Sequence, residues 1–187
     1  MNTGDINVGS FIRHNGELVQ ILEYQHRTPG NLRAFYQAKM RNVKTGKLAE
    51  YRFRSGEEVE VVRVEQKTLQ YLYKDGSSMV LMDNETYEQI YVDEILFGDS
   101  AGFLKENINV EVAFDGDVPV FAEPPRTMVL RITYTEPGIK GDTATRTLKA
   151  ATLETGAQVS VPLFCNIDEL IKVDTKTGEY MERVKEK

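Results

Sequence analysis

The chain has 187 residues, 41% hydrophobic and 28% charged, with one cysteine and a formal charge of −6. That balance fits a globular protein of one large or two to three small domains, and no run approaches the roughly 20 apolar residues of a membrane helix. The lone Cys165 excludes an intrachain disulfide, and the start MNTGDINVGSFIR lacks the basic stretch and apolar core of a secretory signal, so a reducing cytoplasm is the expected compartment.

The acidic total is unevenly spread. Residues 1–63 hold ten Lys/Arg against seven Asp/Glu, residues 64–127 four against thirteen, and residues 128–187 nine of each. Between residues 25 and 54 eight basic residues meet one acid, Glu50. A basic end on an acidic chain is either a solvated strand face or an electrostatic footprint for an anionic partner.

The first elements are strands. ELVQILEYQ reads as one, followed by a turn at TPGN. From Ala34 the pattern alternates: Ala34, Tyr36, Ala38 and Met40 share one face, and Arg33, Phe35, Gln37, Lys39 and Arg41 the other. Period-two alternation places one face on a core and one in solvent. After a turn at NVKTGK, AEYRFR repeats the device, with Ala49, Tyr51 and Phe53 opposed to Glu50, Arg52 and Arg54. Short strands of this kind predict a small SH3-like barrel over 1–63.

A second unit is expected over 64–126. QYLYKDGSSMVLMD is a hairpin turning at Asp75-Gly76. YVDEILFGDSAGFLKEN breaks the strand pattern and predicts one or two short helices ended by Gly98 and Gly102. INVEVAFDGDVPVFAEPP is another hairpin, and Pro124-Pro125 marks a linker. The third unit, 127–187, opens with the strand TMVLRITYTEPG, continues through an exposed loop at KGDTATR, and closes with strands in AATLETGAQVSVPLF and DELIKVDTKTGEYMERV. Units two and three each carry the four or five short strands of an oligonucleotide-binding (OB) barrel.

Catalytic groups are sparse. There is no phosphate-binding glycine loop, and His14 and His26 have no metal partners at ligand spacing, so neither a metal nor a cofactor is expected. The acid pairs Asp93-Glu94 and Asp168-Glu169 are sequence neighbours and would point apart in a strand. An enzyme would have to use Cys165, within the apolar VPLFCNI, or His26; a non-enzymatic protein is expected.

Three stretches carry a resemblance. They are KAATLETGAQVSVPLFCNIDELIKVDTKTGEYMERV at 149–184, YLYKDGSSMVLMDNETYEQI at 71–90, and PGNLRAF with the basic strand and TGKLAEYRFRSGE after it. Together they make the chain similar, over essentially its full length, to bacterial translation elongation factor P. The first stretch fits that family at Lys149, Ala151, Gly156, Val161, Pro162 and Ile167, and departs from it at Asp168, where glycine is usual.

The resemblance implies an all-β fold: an SH3-like (KOW-like) first domain and two OB barrels, arranged as an L that mimics a tRNA. It implies a monomer that binds both ribosomal subunits beside the peptidyl-tRNA, with no membrane partner, and relieves stalling on runs of proline. The tip loop Pro29, Gly30, Asn31, Leu32 and Arg33 would reach toward the CCA end. Lys39, Arg41, Arg52 and Arg54 would grip tRNA phosphates. The loop Gly141, Asp142, Thr143, Ala144, Thr145 and Arg146 would lie at the small subunit near the exit-site codon.

At the tip this chain departs from many relatives. The position that carries a modified lysine or arginine elsewhere in the family falls on Asn31, which has neither amine nor guanidinium. A modifying enzyme is therefore not expected, and Leu32 and Arg33 would make the contacts while Asn31 holds the turn, where positive φ is favoured. Two other readings stay open: a generic OB-fold RNA-binding protein, and a paralogue of the factor with a different task.

Overall fold

The computed structural model describes residues 1–138 and 147–185. Among these, fifteen strands form three five-stranded sheets, each from a consecutive stretch of chain. The first uses β1 (Phe11–His14), β2 (Glu17–Arg27), β3 (Phe35–Asn42), β4 (Leu48–Arg54) and β5 (Glu60–Val62), in the order β4-β3-β2-β1-β5. The second uses β6 (Glu65–Asp75), β7 (Ser78–Asp83), β8 (Gln89–Asp93), β9 (Asn109–Asp115) and β10 (Val118–Glu123), in the order β10-β9-β6-β7-β8. The third uses β11 (Thr127–Thr135), β12 (Leu148–Leu153), β13 (Gln158–Pro162), β14 (Leu170–Asp174) and β15 (Tyr180–Val184), in the order β13-β12-β11-β14-β15.

By their internal contacts the residues fall into two compact units, Met1–Lys67 with Val112–Ala122, and Thr68–Glu111 with Glu123–Lys187. The first has a core of Ile6, Ile12, Val19, Ile21, Ala38, Met40, Phe53 and Val59, supplied by alternate residues of its strands. The Phe11 ring meets Phe121 at 6.1 Å between centroids, and Arg13 pairs with Glu60 at 3.2 Å. In the second unit Phe103 joins Met128, Leu130, Ile132, Leu153, Val161, Cys165 and Ile171 in one buried cluster. A side chain on Gly178 would meet the Phe103 ring at 3.6 Å, so the last hairpin packs down on that anchor.

The expected strands and most turns are present, with differences of detail. YVD belongs to β8, and the helical part is a 3-10 segment, Glu94–Phe103. Asp93 starts it by accepting the Ile95 N–H at 3.0 Å. Gly98 breaks it, at φ 57° and ψ −139°, whereas Gly102 lies within its second part and ends nothing. In the β6–β7 hairpin Asp75 still pairs with Ser78, so the two turn residues are Gly76 and Ser77. Asp168 adopts φ 68°, the left-handed region in which glycine is at home, and its N–H still reaches the Ile132 carbonyl at 2.9 Å. The tolerance of aspartate for this conformation explains how the chain departs from the glycine pattern there without losing the turn.

Candidate nucleic-acid interface

The hairpin of β2 and β3 is the longest pairing in the first sheet, running from Val19↔Asn42 to Arg27↔Phe35. Its tip is a tight turn in which the Leu32 N–H donates to the Pro29 carbonyl at 2.8 Å. The positive φ of that turn, 43°, is carried by Gly30 and not by Asn31. The expectation that Asn31 holds the turn is therefore corrected. Glycine takes the strained position at no steric cost and leaves the Asn31 side chain available for contact. Residues 28–33 are all exposed, and Leu32 keeps 73% of its surface in solvent, so it does not fold back on its own domain.

Below the tip the hairpin is braced on one face by rings. Tyr24 stacks on Tyr36 at 5.0 Å and 11°, and His26 lies 4.7 Å from the same ring. The Tyr24 hydroxyl donates to the Thr3 carbonyl at 2.7 Å; burial, aided by Tyr36 and Glu57, pushes its pKa up to about 12 and keeps it a neutral donor. A similar cluster joins His14 to Tyr51 at 4.4 Å and to Phe53 at 5.5 Å. Both histidines thus serve as ring-packing partners, and no group of His, Cys, Asp and Glu able to hold a metal occurs among the described residues.

The opposite face carries the cations in cross-strand rows: Arg27–Phe35–Arg54, then Gln25–Gln37–Arg52, then Glu23–Lys39–Glu50. These rows depend on a bulge in β2 between Ile21 and Glu23, which brings Glu23, rather than Leu22, opposite Lys39. The four cations named from sequence are consequently not equivalent. Lys39 is paired with Glu23 at 3.1 Å. The Arg52 guanidinium lies over the Phe35 ring at 5.1 Å and donates to Gln37 Oε1 at 3.2 Å, which pre-orients it. The side chains of Arg33, Arg41 and Arg54 have no hydrogen-bond or ion-pair partner among the described residues. Arg33, Arg52 and Arg54 thus place positive charge at the tip end of the hairpin, Arg41 stands at its far end in the row Gln20–Arg41–Leu48, and Lys39 sits in a neutralised row.

The other sequence candidates fall elsewhere. Residues 141–146 lie outside the described residues. The chain on one side of them is fixed at Gly138, where a Cβ would come within 2.7 Å of the Leu163 carbonyl, and at Thr135, whose hydroxyl donates to the Ala150 carbonyl at 2.8 Å. Cys165 is fully buried; burial pushes its thiol pKa up, with Glu169 adding to the rise, the opposite of what a nucleophilic thiolate needs. No helix among the described residues is long and apolar enough to cross a membrane.

Comparison with known proteins identifies the family. Three family models match in succession: the elongation factor P KOW-like domain over residues 2–59, the elongation factor P OB domain over 64–122, and the elongation factor P C-terminal domain over 128–183. The chain belongs to the elongation factor P family. Curated elongation factor P proteins from Roseiflexus castenholzii and Chloroherpeton thalassium are 46% and 47% identical to it, each match covering 98% of both chains. Among solved structures, eukaryotic translation initiation factor 5A from Methanococcus jannaschii aligns with a TM-score of 0.50 at 20% identity, covering 65% of this chain and 86% of that one, a likeness of fold. The first sheet is thus the KOW-like, SH3-type barrel and the next two are OB barrels. Membership of the elongation factor P family makes the chain a translation elongation factor and implies interaction with the ribosome.

Proposed function

We propose that this member of the elongation factor P family acts beside the peptidyl-tRNA, with its β2–β3 tip at the CCA end, and promotes peptide bond formation on proline runs. The observation that carries the reading is the tip itself: a bulky apolar side chain 73% exposed, next to an arginine with no side-chain partner among the described residues, on a braced hairpin. Such a tip is poorly matched to water and well matched to a crevice of RNA. Leu32 packs on a sugar or base face, and Arg33 pairs with a phosphate. Arg52 and Arg54 add phosphate contacts along the acceptor arm. The factor makes no bond. Proline is a constrained nucleophile, and holding the CCA end in attack geometry lowers an orientational barrier while the chemistry stays with the ribosome.

In this proposal the chain works as three modules over 1–63, 64–126 and 127–187, is monomeric and cytoplasmic, and needs no cofactor. Its tip is unmodified, because Asn31 offers no amine to extend. The loop at 141–146 serves the small-subunit end, near the exit-site codon. Translation in a purified system of a reporter with three consecutive prolines tests the reading. Recombinant, unmodified protein is expected to relieve the stall, and no relief, with intact mass equal to the encoded mass, overturns it.

A further inference from the structure

On the middle sheet β6, β7 and β8 present an outward face that the reading above does not use. A bulge in β6 between Tyr71 and Tyr73 sets Tyr73, instead of Leu72, opposite Val80. Val80 in turn pairs with Tyr91 on β8, so Tyr73, Val80 and Tyr91 form one row across three strands. Tyr73 is 44% and Tyr91 60% exposed, and Val80 between them is fully shielded. The row on one side is Gln70–Met82–Gln89; the row on the other is Asp75–Ser78–Asp93, with both carboxylates exposed. The neighbouring cation, Lys74, is already paired with Glu94.

An exposed pair of aromatic rings on an OB barrel invites two occupants. Stacked bases are one, since the outer face of OB strands binds oligonucleotides. Charge argues against them here. The stretch 64–127 holds thirteen acids and four bases, and the acidic row would repel the phosphates that accompany any base. The same rings and carboxylates suit a cation. A guanidinium or ammonium laid over a tyrosine face gains from the ring quadrupole, and its head then lies beside a carboxylate.

We propose that the Tyr73–Val80–Tyr91 row, with Asp75 and Asp93, is a docking surface for an arginine- or lysine-bearing segment of another protein. Its two tyrosine rings give contact area, and its acidic edge selects for positive charge.

The six methionines of the chain supply local reporters, because Met82 lies in this face while Met79 points into the buried interior and Met40 lies in the first barrel's core. Full-length protein labelled at the methionine methyls is titrated with the peptide acetyl-Gly-Arg-Leu-Lys-Gly-Arg-amide, and separately with a twelve-residue oligouridylate. The peptide is expected to shift Met82 and leave Met40 and Met79 in place. Tyr73→Ser with Tyr91→Ser is expected to weaken peptide binding roughly tenfold, Tyr73→Phe with Tyr91→Phe to retain it, and Asp75→Asn with Asp93→Asn to weaken it about fivefold and flatten its salt dependence. An unmoved Met82, peptide affinity unchanged in the serine variant, or a Met82 shift produced by the oligouridylate instead, would overturn the proposal.

Discussion

Replacing Leu32 by alanine tests the tip most sharply, because the free protein has almost nothing to lose by it. Full burial of a leucine contributes roughly 1.5–3 kcal/mol. Leu32 leaves 73% of its surface in water, so docking against RNA has about 1–2 kcal/mol still to gain from this side chain, equivalent to roughly five- to thirty-fold. Leu32→Ala should therefore slow polyproline synthesis by that factor at sub-saturating protein. Its thermal stability should stay within about 0.5 kcal/mol of the parent, as befits an exposed turn residue. Arg33→Ala should cost on the order of 1.5–3 kcal/mol through one charge-assisted hydrogen bond. The assay compares single-turnover synthesis of a Pro-Pro-Pro peptide with that of a proline-free one, which neither variant should affect. Normal polyproline rates with Leu32→Ala would refute the reasoning, since Leu32 is the largest apolar side chain that the tip exposes.

Other consequences follow from the same geometry. Arg52→Gln with Arg54→Gln should reduce the slope of log affinity for ribosomes against log salt by roughly one to two units, whereas Lys39→Gln, whose charge Glu23 already offsets, should change it by well under one; equal slopes for both would contradict the row arrangement. Thr143→Ala with Thr145→Ala should lower rescue with stability held to within about half a kcal/mol, and full rescue would remove the loop from the mechanism. Gly138→Ala should destabilise the protein by about 1–3 kcal/mol in urea unfolding, because its Cβ would meet the Leu163 carbonyl at 2.7 Å. The Asp174 carboxyl is held below its ordinary 3.8 by the Thr177 N–H first, then by Arg126 and the Lys176 N–H. A depressed folded value means its contribution is complete above pH 3.8 and is lost as pH falls through the lower folded value, so Asp174→Asn should flatten the acid limb of the stability curve below about pH 4.

Much of the fold is legible in the sequence because alternation fixes which strand residues are buried. Ala38, Met40 and Phe53 are core residues, as their period-two spacing requires. The turn signals at Asp75-Gly76 and Gly116 fall at hairpins for the same reason. Two features that come from β-bulges are not legible. The extra residue at Leu22 moves Glu23 into the row of Lys39, and the one at Leu72 moves Tyr73 into the row of Tyr91. Alternation along a single strand carries no record of which residue is skipped in pairing, so the neutralised cation and the tyrosine face emerge only with the register. The turn at the tip shows a third limit. Gly30 and Asn31 both suit positive φ, and composition alone does not say which one takes it.

The central claim is that the β2–β3 tip stands at the CCA end of the peptidyl-tRNA. The most direct test places benzoylphenylalanine at position 31 and irradiates the protein on ribosomes stalled at a proline run. The account predicts crosslinks to the 3′-terminal nucleotides of the peptidyl-tRNA, with loss of the adducts when Arg52 and Arg54 are both changed to glutamine. Crosslinks confined to the body of the tRNA or to the small subunit, with none at the CCA end, would contradict it.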